Sequence, residues 1–213
     1  MVERATTALL LIDIQPDFMP GGRLAVAEGD QILEPVRRLM ESDRFGVYVA
    51  TQDWHPPGHI SFASRHQGRQ PLETIELYGH PQTLWPDHCI QGSPGAELHP
   101  DLPWDKVSVI VRKGEDPAVD SYSGFRNNWN SDGERPSTGL AGYLRDRGID
   151  TVFLCGLARD VCVKWTAEDA VAAGFKTCLI WDLSRSVDPS VDDRVRADLE
   201  QAGVLISRYN ELM

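Results

Sequence analysis

Five short runs of apolar, largely β-branched residues, ALLLIDI, GVYVATQ, VSVIVRK, DTVFLCG and KTCLIWD, with a weaker sixth at GVLIS, constrain this chain more than any other feature. Each run is continuous rather than alternating. A strand reads that way when both of its faces are covered, because a strand with one wet face alternates apolar with polar residues. Between the runs lie amphipathic helical patterns around residues 29–42, 137–147, 161–173 and 190–202, each ending near a glycine or a turn cluster. Strand alternating with helix predicts a parallel sheet with helices on both faces. At 213 residues the chain has the length of one domain, 1–213. Residues 56–104 break the rhythm, being rich in Pro, Gly and His without a strong period. So long a connection inside a compact domain is usually functional, which predicts a lid or site-forming excursion.

A formal net charge of −11 leaves no electrostatic footprint for nucleic acid or for an anionic membrane, so a small molecule is the expected partner. The sequence leaves a homo-oligomer open. Asp13 interrupts the apolar run at the N-terminus before it reaches the length of a signal-peptide core, and no later stretch approaches a membrane span, so a cytoplasmic protein is expected. The four cysteines form no CxxC pair and read as free thiols.

Ligands of open parallel sheets bind beyond the carboxyl ends of the strands, so the polar residues that close the apolar runs are the informative ones. They are Asp13, Asp53 with His55, Lys113, and the loop GLARDVC. A carboxylate after ALLLI is costly unless paired or used, although a helix cap would also place an Asp there. A lysine closing VSVIVR either serves the site or snorkels to solvent. Cys162 is more specific: GLARDVCVKWTAEDAV reads as strand, tight turn and helix, with Cys162 in the first helical turn and Asp160 placed to cap it. There the helix dipole and nearby cations favour a thiolate. Cys155 and Cys178 sit inside strand patterns and read as core; Cys89 reads as structural. For a metal, Asp53 and His55 at i and i+2 share one side of an extended segment, and His88 of WPDHC can reach them. One carboxylate and two imidazoles leave coordination positions open, as catalytic sites do. His59 is a further ligand candidate, and His66 reads as solvated. The same three ligands would suit a non-haem iron oxygenase, a class that leaves Cys162 and Lys113 without a role.

Five ordered strings, LLLIDIQPDFMPGGRLAV, TQDWHPPGHISFA, LWPDHCIQGSPGAELHP, RKGEDPAVDSYSGF and GLARDVCVKWTAEDA, together resemble the nicotinamidase/pyrazinamidase branch of the isochorismatase-like cysteine hydrolases over nearly the whole chain. The resemblance implies a single-domain, three-layer α/β/α fold around a six-stranded, mainly parallel sheet. It implies a triad of Asp13, Lys113 and Cys162, and metal ligands Asp53, His55 and His88. The ion would be divalent, with zinc the first choice and iron or manganese compatible. It implies a cis peptide between Leu157 and Ala158, an oxyanion hole from the backbone N–H groups of Ala158 and Cys162, and aromatic walls at Phe18 and Trp85. The implied reaction converts nicotinamide to nicotinic acid and ammonia through a thioester on Cys162, likewise pyrazinamide to pyrazinoic acid, within NAD salvage.

In that chemistry Lys113 would favour the ionised carboxylate and thiolate, while Asp13 relays the proton. Two positions depart from the pattern. Arg159 stands where the family more often has a small hydroxyl residue, and either depresses the Cys162 pKa or points outward. Pro16 is commonly Asn. Rival readings are a sister amidohydrolase acting on an N-carbamoyl compound or ureidoacrylate, an isochorismatase, which should lack the cysteine, and a catalytically silent metal-stabilised module.

Overall fold

The computed structural model describes residues 4–213. Six strands form one parallel sheet: β1 (Thr7–Ile12), β2 (Val47–Asp53), β5 (Val109–Lys113), β6 (Thr151–Leu157), β7 (Lys176–Arg185) and β8 (Leu205–Ser207). Their spatial order is β5-β2-β1-β6-β7-β8. The chain thus steps outward from β1 to one edge, returns to the far side of β1, and steps outward again. This reversal between β1 and β6 is the switch point at which a doubly wound sheet opens a crevice.

Alternation within β1 shows why the run is apolar throughout. Leu9 and Leu11 pack with Val36, Leu39 and Met40 of α1 (Leu33–Glu41), whereas Ala8, Leu10 and Ile12 pack with α2 (Leu140–Arg145), α3 (Lys164–Ala172) and α4 (Asp192–Gln201). A short α5 (Tyr209–Leu212) adds Tyr209 and Leu212 to the α1 side. Both faces of the central strands are therefore dry, as the continuous runs predict. The run at Val109–Lys113 departs from that expectation. It is the edge strand, its burial alternates, and Ile110 is 47% exposed because one face of the edge is open.

Residues 56–104 are not structureless. They contain an antiparallel hairpin, β3 (Thr74–Leu77) and β4 (His80–Thr83), turned by Tyr78 and Gly79 with positive φ of 53° and 80°. Two left-handed residues in a two-residue loop match the twist of a hairpin. The rest of the excursion is fastened to the sheet by side-chain amides: Gln15 Nε2 donates to Asp53 O and Ala96 O, and Gln52 Nε2 donates to Ala96 O. It forms a fixed wall over the carboxyl edge. No helix among the described residues is long and apolar enough to cross a membrane.

Candidate active site

Three strand ends deliver the first group of side chains. Asp13 follows β1 with a left-handed φ of 46°, a conformation Asp tolerates better than most residues and one that turns its carboxylate along the sheet edge. Its Oδ1 accepts from Thr51 Oγ1 at 2.5 Å, and its Oδ2 faces the ammonium of Lys113, the last residue of β5, at 2.8 Å. No aligned hydrogen bond reaches Oδ2, so this oxygen keeps a lone pair for a proton. Lys113 Nζ lies 3.5 Å from Cys162 Sγ and 2.5 Å from Asp53 Oδ1. The ammonium is fully buried. Burial opposes its charge, but the Asp13 and Asp53 carboxylates outweigh burial and hold its pKa well above the ordinary lysine range.

Cys162 sits in a wide π-type turn, Arg159–Val163, between β6 and α3. Gly156 lets β6 close on β1 at this point: a Cβ there would lie 2.1 Å from Ile12 O, and its φ is +119°. The Leu157–Ala158 peptide is cis. Ala158 O accepts from Val161 N at 3.2 Å and Val163 N at 3.0 Å, and Ala158 itself lines the cavity.

Two expectations for this turn need correcting. Asp160 caps no helix; its carboxylate instead accepts from the backbone N–H groups of Val187 at 2.9 Å and Asp188 at 3.0 Å. Nor is the resting thiol activated. Burial pushes the Cys162 pKa well above the usual thiol value; Lys113 pulls it down, but the carboxylates of Asp13 and Asp53 add to burial. Burial likewise raises Asp13 to about 6, with Lys113 opposing. At neutral pH the pair therefore rests as thiol and carboxylate, which is the arrangement a general base requires.

The second group adjoins the first through Asp53, whose carboxylate lies within 4.8 Å of Asp13 and Cys162. Asp53 ends β2, and its Oδ2 is 3.6 Å from His55 Nε2 and 3.7 Å from His88 Nε2. His55 Nδ1 contacts Gly114 O at 3.2 Å and His88 Nδ1 contacts Pro86 O at 2.8 Å. A carbonyl only accepts, so each Nδ1 carries the proton and each Nε2 turns a lone pair toward the carboxylate. Three acceptors facing one another at distances too long for hydrogen bonds call for a cation among them. Ligands about 2.0–2.1 Å from a tetrahedral metal stand roughly 3.4 Å apart, close to the spacing found. The three residues therefore fit a divalent ion.

His59 belongs to a second buried cluster with His55 and Asp120, but both of its nitrogens are taken, Nδ1 by Ser61 Oγ at 2.8 Å and Nε2 by Val119 O at 3.3 Å. It supports the His55 ring, centroid to centroid 4.5 Å, rather than the cation position. Cys89, with a left-handed φ of 45°, turns away from His88 into the core, its N–H donating to Asp17 Oδ2 at 2.7 Å.

One cavity joins the two groups: Cys162, Ala158, Asp53, His55 and His88 all line it, with Phe18 and Trp85 among its walls. Phe18 packs edge-on to His88 at 5.6 Å. Sequence reasoning passed over Asp120 and Tyr122, although DSYSGF contains both. Tyr122 lines the cavity and its hydroxyl accepts from Trp85 Nε1 at 3.1 Å and from Gln82 Nε2 at 2.8 Å, fixing the Trp85 wall.

A doubly wound sheet whose carboxyl edge carries a buried thiol beside an ammonium and a carboxylate has the parts of a cysteine-dependent hydrolase. The chain belongs to the isochorismatase family, whose domain matches residues 7–210. Nicotinamidase from Acinetobacter baylyi is 49% identical over 188 residues, covering 88% of this chain and 85% of its own length. The structure of an Acinetobacter baumanii nicotinamidase pyrazinamidase superimposes with a TM-score of 0.92 at 46% identity, over 98% of this chain and 99% of that one. Pyrazinamidase of Pyrococcus horikoshii, solved in complex with zinc, gives a TM-score of 0.77 at 36% identity over 95% and 99% of the two chains.

Proposed function

We infer that this chain is a nicotinamidase, a cysteine amidohydrolase that converts nicotinamide to nicotinic acid and ammonia and acts likewise on pyrazinamide. The observation that carries this reading is the cavity itself, whose lining joins the Cys162 thiol, held by its Asp13 and Lys113 partners, to an Asp–His–His set, with the Phe18 and Trp85 rings among its walls.

Asp13 takes the thiol proton as Cys162 Sγ bonds to the carboxamide carbon, and the carbonyl π electrons move to oxygen. Lys113 holds both Asp13 and the developing thiolate in place. The backbone N–H groups of Ala158 and Cys162 receive the oxyanion. Its collapse breaks the C–N bond, and Asp13 returns the proton so that the nitrogen leaves as ammonia. Asp13 then takes a proton from water; the hydroxide adds to the thioester carbon, the C–S bond breaks, and the departing sulfur recovers the proton from Asp13. Phe18 and Trp85 clamp the ring. A divalent ion held by Asp53, His55 and His88, zinc by analogy with the Pyrococcus enzyme and with iron and manganese compatible, would accept the ring-nitrogen lone pair and so orient the amide. The product acid would feed NAD salvage, and a reducing cytosol suits the four free cysteines.

The test is ammonia release from nicotinamide, pyrazinamide and benzamide. Benzamide has the same flat shape without the ring nitrogen, and a site built on a polar contact rejects an analogue lacking it by up to about 10⁴ in kcat/KM. A nicotinamide-to-benzamide ratio near unity would overturn the role assigned to the Asp–His–His set.

A further inference from the structure

Arg159 fits neither expectation raised by its sequence position. Its side chain is buried but turned away from Cys162. The register of the neighbouring strands explains where it goes. Leu154 pairs with Leu179 and Gly156 with Ser184, so two steps along β6 correspond to five along β7. Three extra residues therefore bulge out of β7, leaving backbone carbonyls without ladder partners. The Arg159 guanidinium fills the bulge. Nη2 donates to Trp181 O at 2.9 Å and, over a shorter contact, to Ser184 O; Nε donates to Ser184 Oγ at 3.0 Å; Nη1 pairs with Asp192 of α4 at 2.5 Å. The Trp181 ring covers its face, 4.0 Å from Cζ to centroid. Four contacts with fixed directions use the planar fork of an arginine, which a lysine ammonium lacks. Asp160 adds its grip on Val187 and Asp188 of the segment between β7 and α4. Residues 159 and 160 thus tie the π-type turn to β7, to α4 and to the segment joining them, whose Val187 also lines the cavity.

We propose that Arg159 is a positioning residue for the nucleophile turn: by locking the turn into the β7 bulge it fixes the Ala158 and Cys162 amides and the Cys162 thiol relative to the bound carboxamide. This inference rests on the nicotinamidase reading for its kinetic arm and on structure alone for its exchange arm. Loosening the turn shifts Ala158, Val161 and Cys162 of the cavity lining but leaves Phe18, Trp85 and the Asp–His–His set in place, because these come from other elements. The defect therefore falls on the chemical step.

The variants are Arg159→Lys and, as one that keeps every carbonyl contact of the guanidinium, Asp192→Asn. For Arg159→Lys, kcat on nicotinamide should fall at least about tenfold per folded molecule with KM within twofold, since displacements near 1 Å cost about that much or more. Affinity for pyridine-3-carboxaldehyde, to which the thiol adds with its proton passing to the carbonyl oxygen, should weaken by a similar factor, while affinity for nicotinate should stay within twofold. Asp192→Asn should show a smaller change of the same kind. Amide hydrogen exchange of the folded protein should accelerate across residues 158–163 in Arg159→Lys. A variant that melts lower but keeps wild-type kcat, aldehyde affinity and exchange at 158–163 would show Arg159 to be a stabilising tie only, and would overturn the proposal. If the wild-type protein released no ammonia from nicotinamide, the functional reading would fail, and the exchange comparison would still decide the role of Arg159.

Discussion

Gly114 offers the sharpest test of how the cation site is built. It follows β5 with φ +64°, and an ideal Cβ there would lie 2.3 Å from both Cε1 and Nδ1 of His55. Ordinary carbon contacts begin near 3.5 Å, so in Gly114→Ala the imidazole must retreat by roughly 1 Å. The retreat also misaligns the Nδ1–H bond to Gly114 O, which fixes the tautomer. Loss of such an outer partner typically weakens metal affinity about 10–100-fold. The left-handed backbone adds its own cost, about 1–2 kcal/mol for any side chain, or roughly 2–8 °C in Tm for a domain of this size. Gly68→Ala separates the two effects, because Gly68 has φ +77° with nothing within 4 Å of its Cβ position. Both variants should melt lower, but only Gly114→Ala should lose metal in a chelator competition and raise KM for nicotinamide. Unchanged metal affinity in Gly114→Ala would mean that the His55 ring is not held by this backbone contact, and the account of the site's preorganisation would fall.

Cys162→Ala should abolish amide hydrolysis with the far-ultraviolet circular dichroism intact, whereas Cys89→Ala should keep most of the activity; the reverse result would refute the nucleophile assignment. His88→Ala, or chelation of the wild type, should lower bound metal from about one per chain and raise KM for nicotinamide, measured by elemental analysis alongside kinetics. The pH profile of kcat/KM should carry an acid limb. Burial raises Asp13 to about 6, so as pH falls through that value the carboxylate takes a proton and can no longer accept one from the thiol. Rate should be full above the limb and lost below it, and Asp13→Asn should abolish turnover; a rate flat from pH 5 to 8 would remove Asp13 as the base.

The sheet was legible because burial on two faces writes a continuous apolar run, and all six runs became strands. Position along a sheet is not written so plainly: VSVIVRK looks central but lies at the edge, where Ile110 faces outward. The β3–β4 hairpin escaped notice because both strands lie over the surface, so TIEL and HPQT carry no apolar run, and Tyr78–Gly79 was their sole turn signal. Polar residues at strand ends were visible because an apolar run stops at each. The destination of Arg159 was not, since it depends on a three-residue slip between β6 and β7 that no local pattern announces. The rise in the Cys162 pKa is illegible for a similar reason: helix position and cation neighbours are local, whereas complete burial beside two carboxylates is a property of the assembled fold.

One carboxylate belongs to both halves of the site. Asp53 gives Oδ1 to Lys113 and Oδ2 to the two histidines. Substituting either histidine perturbs one function, but removing Asp53 unbalances the buried ammonium as well as the cation position, so such a variant cannot be scored as a metal knockout. The same sharing constrains divergence. A lineage abandoning pyridine substrates can shed His55 and His88 one step at a time, while Asp53 stays under selection for the sake of Lys113. Descendants that no longer use a metal would then still carry one ligand of the lost site, and that remnant carboxylate would mark the order in which the site was dismantled.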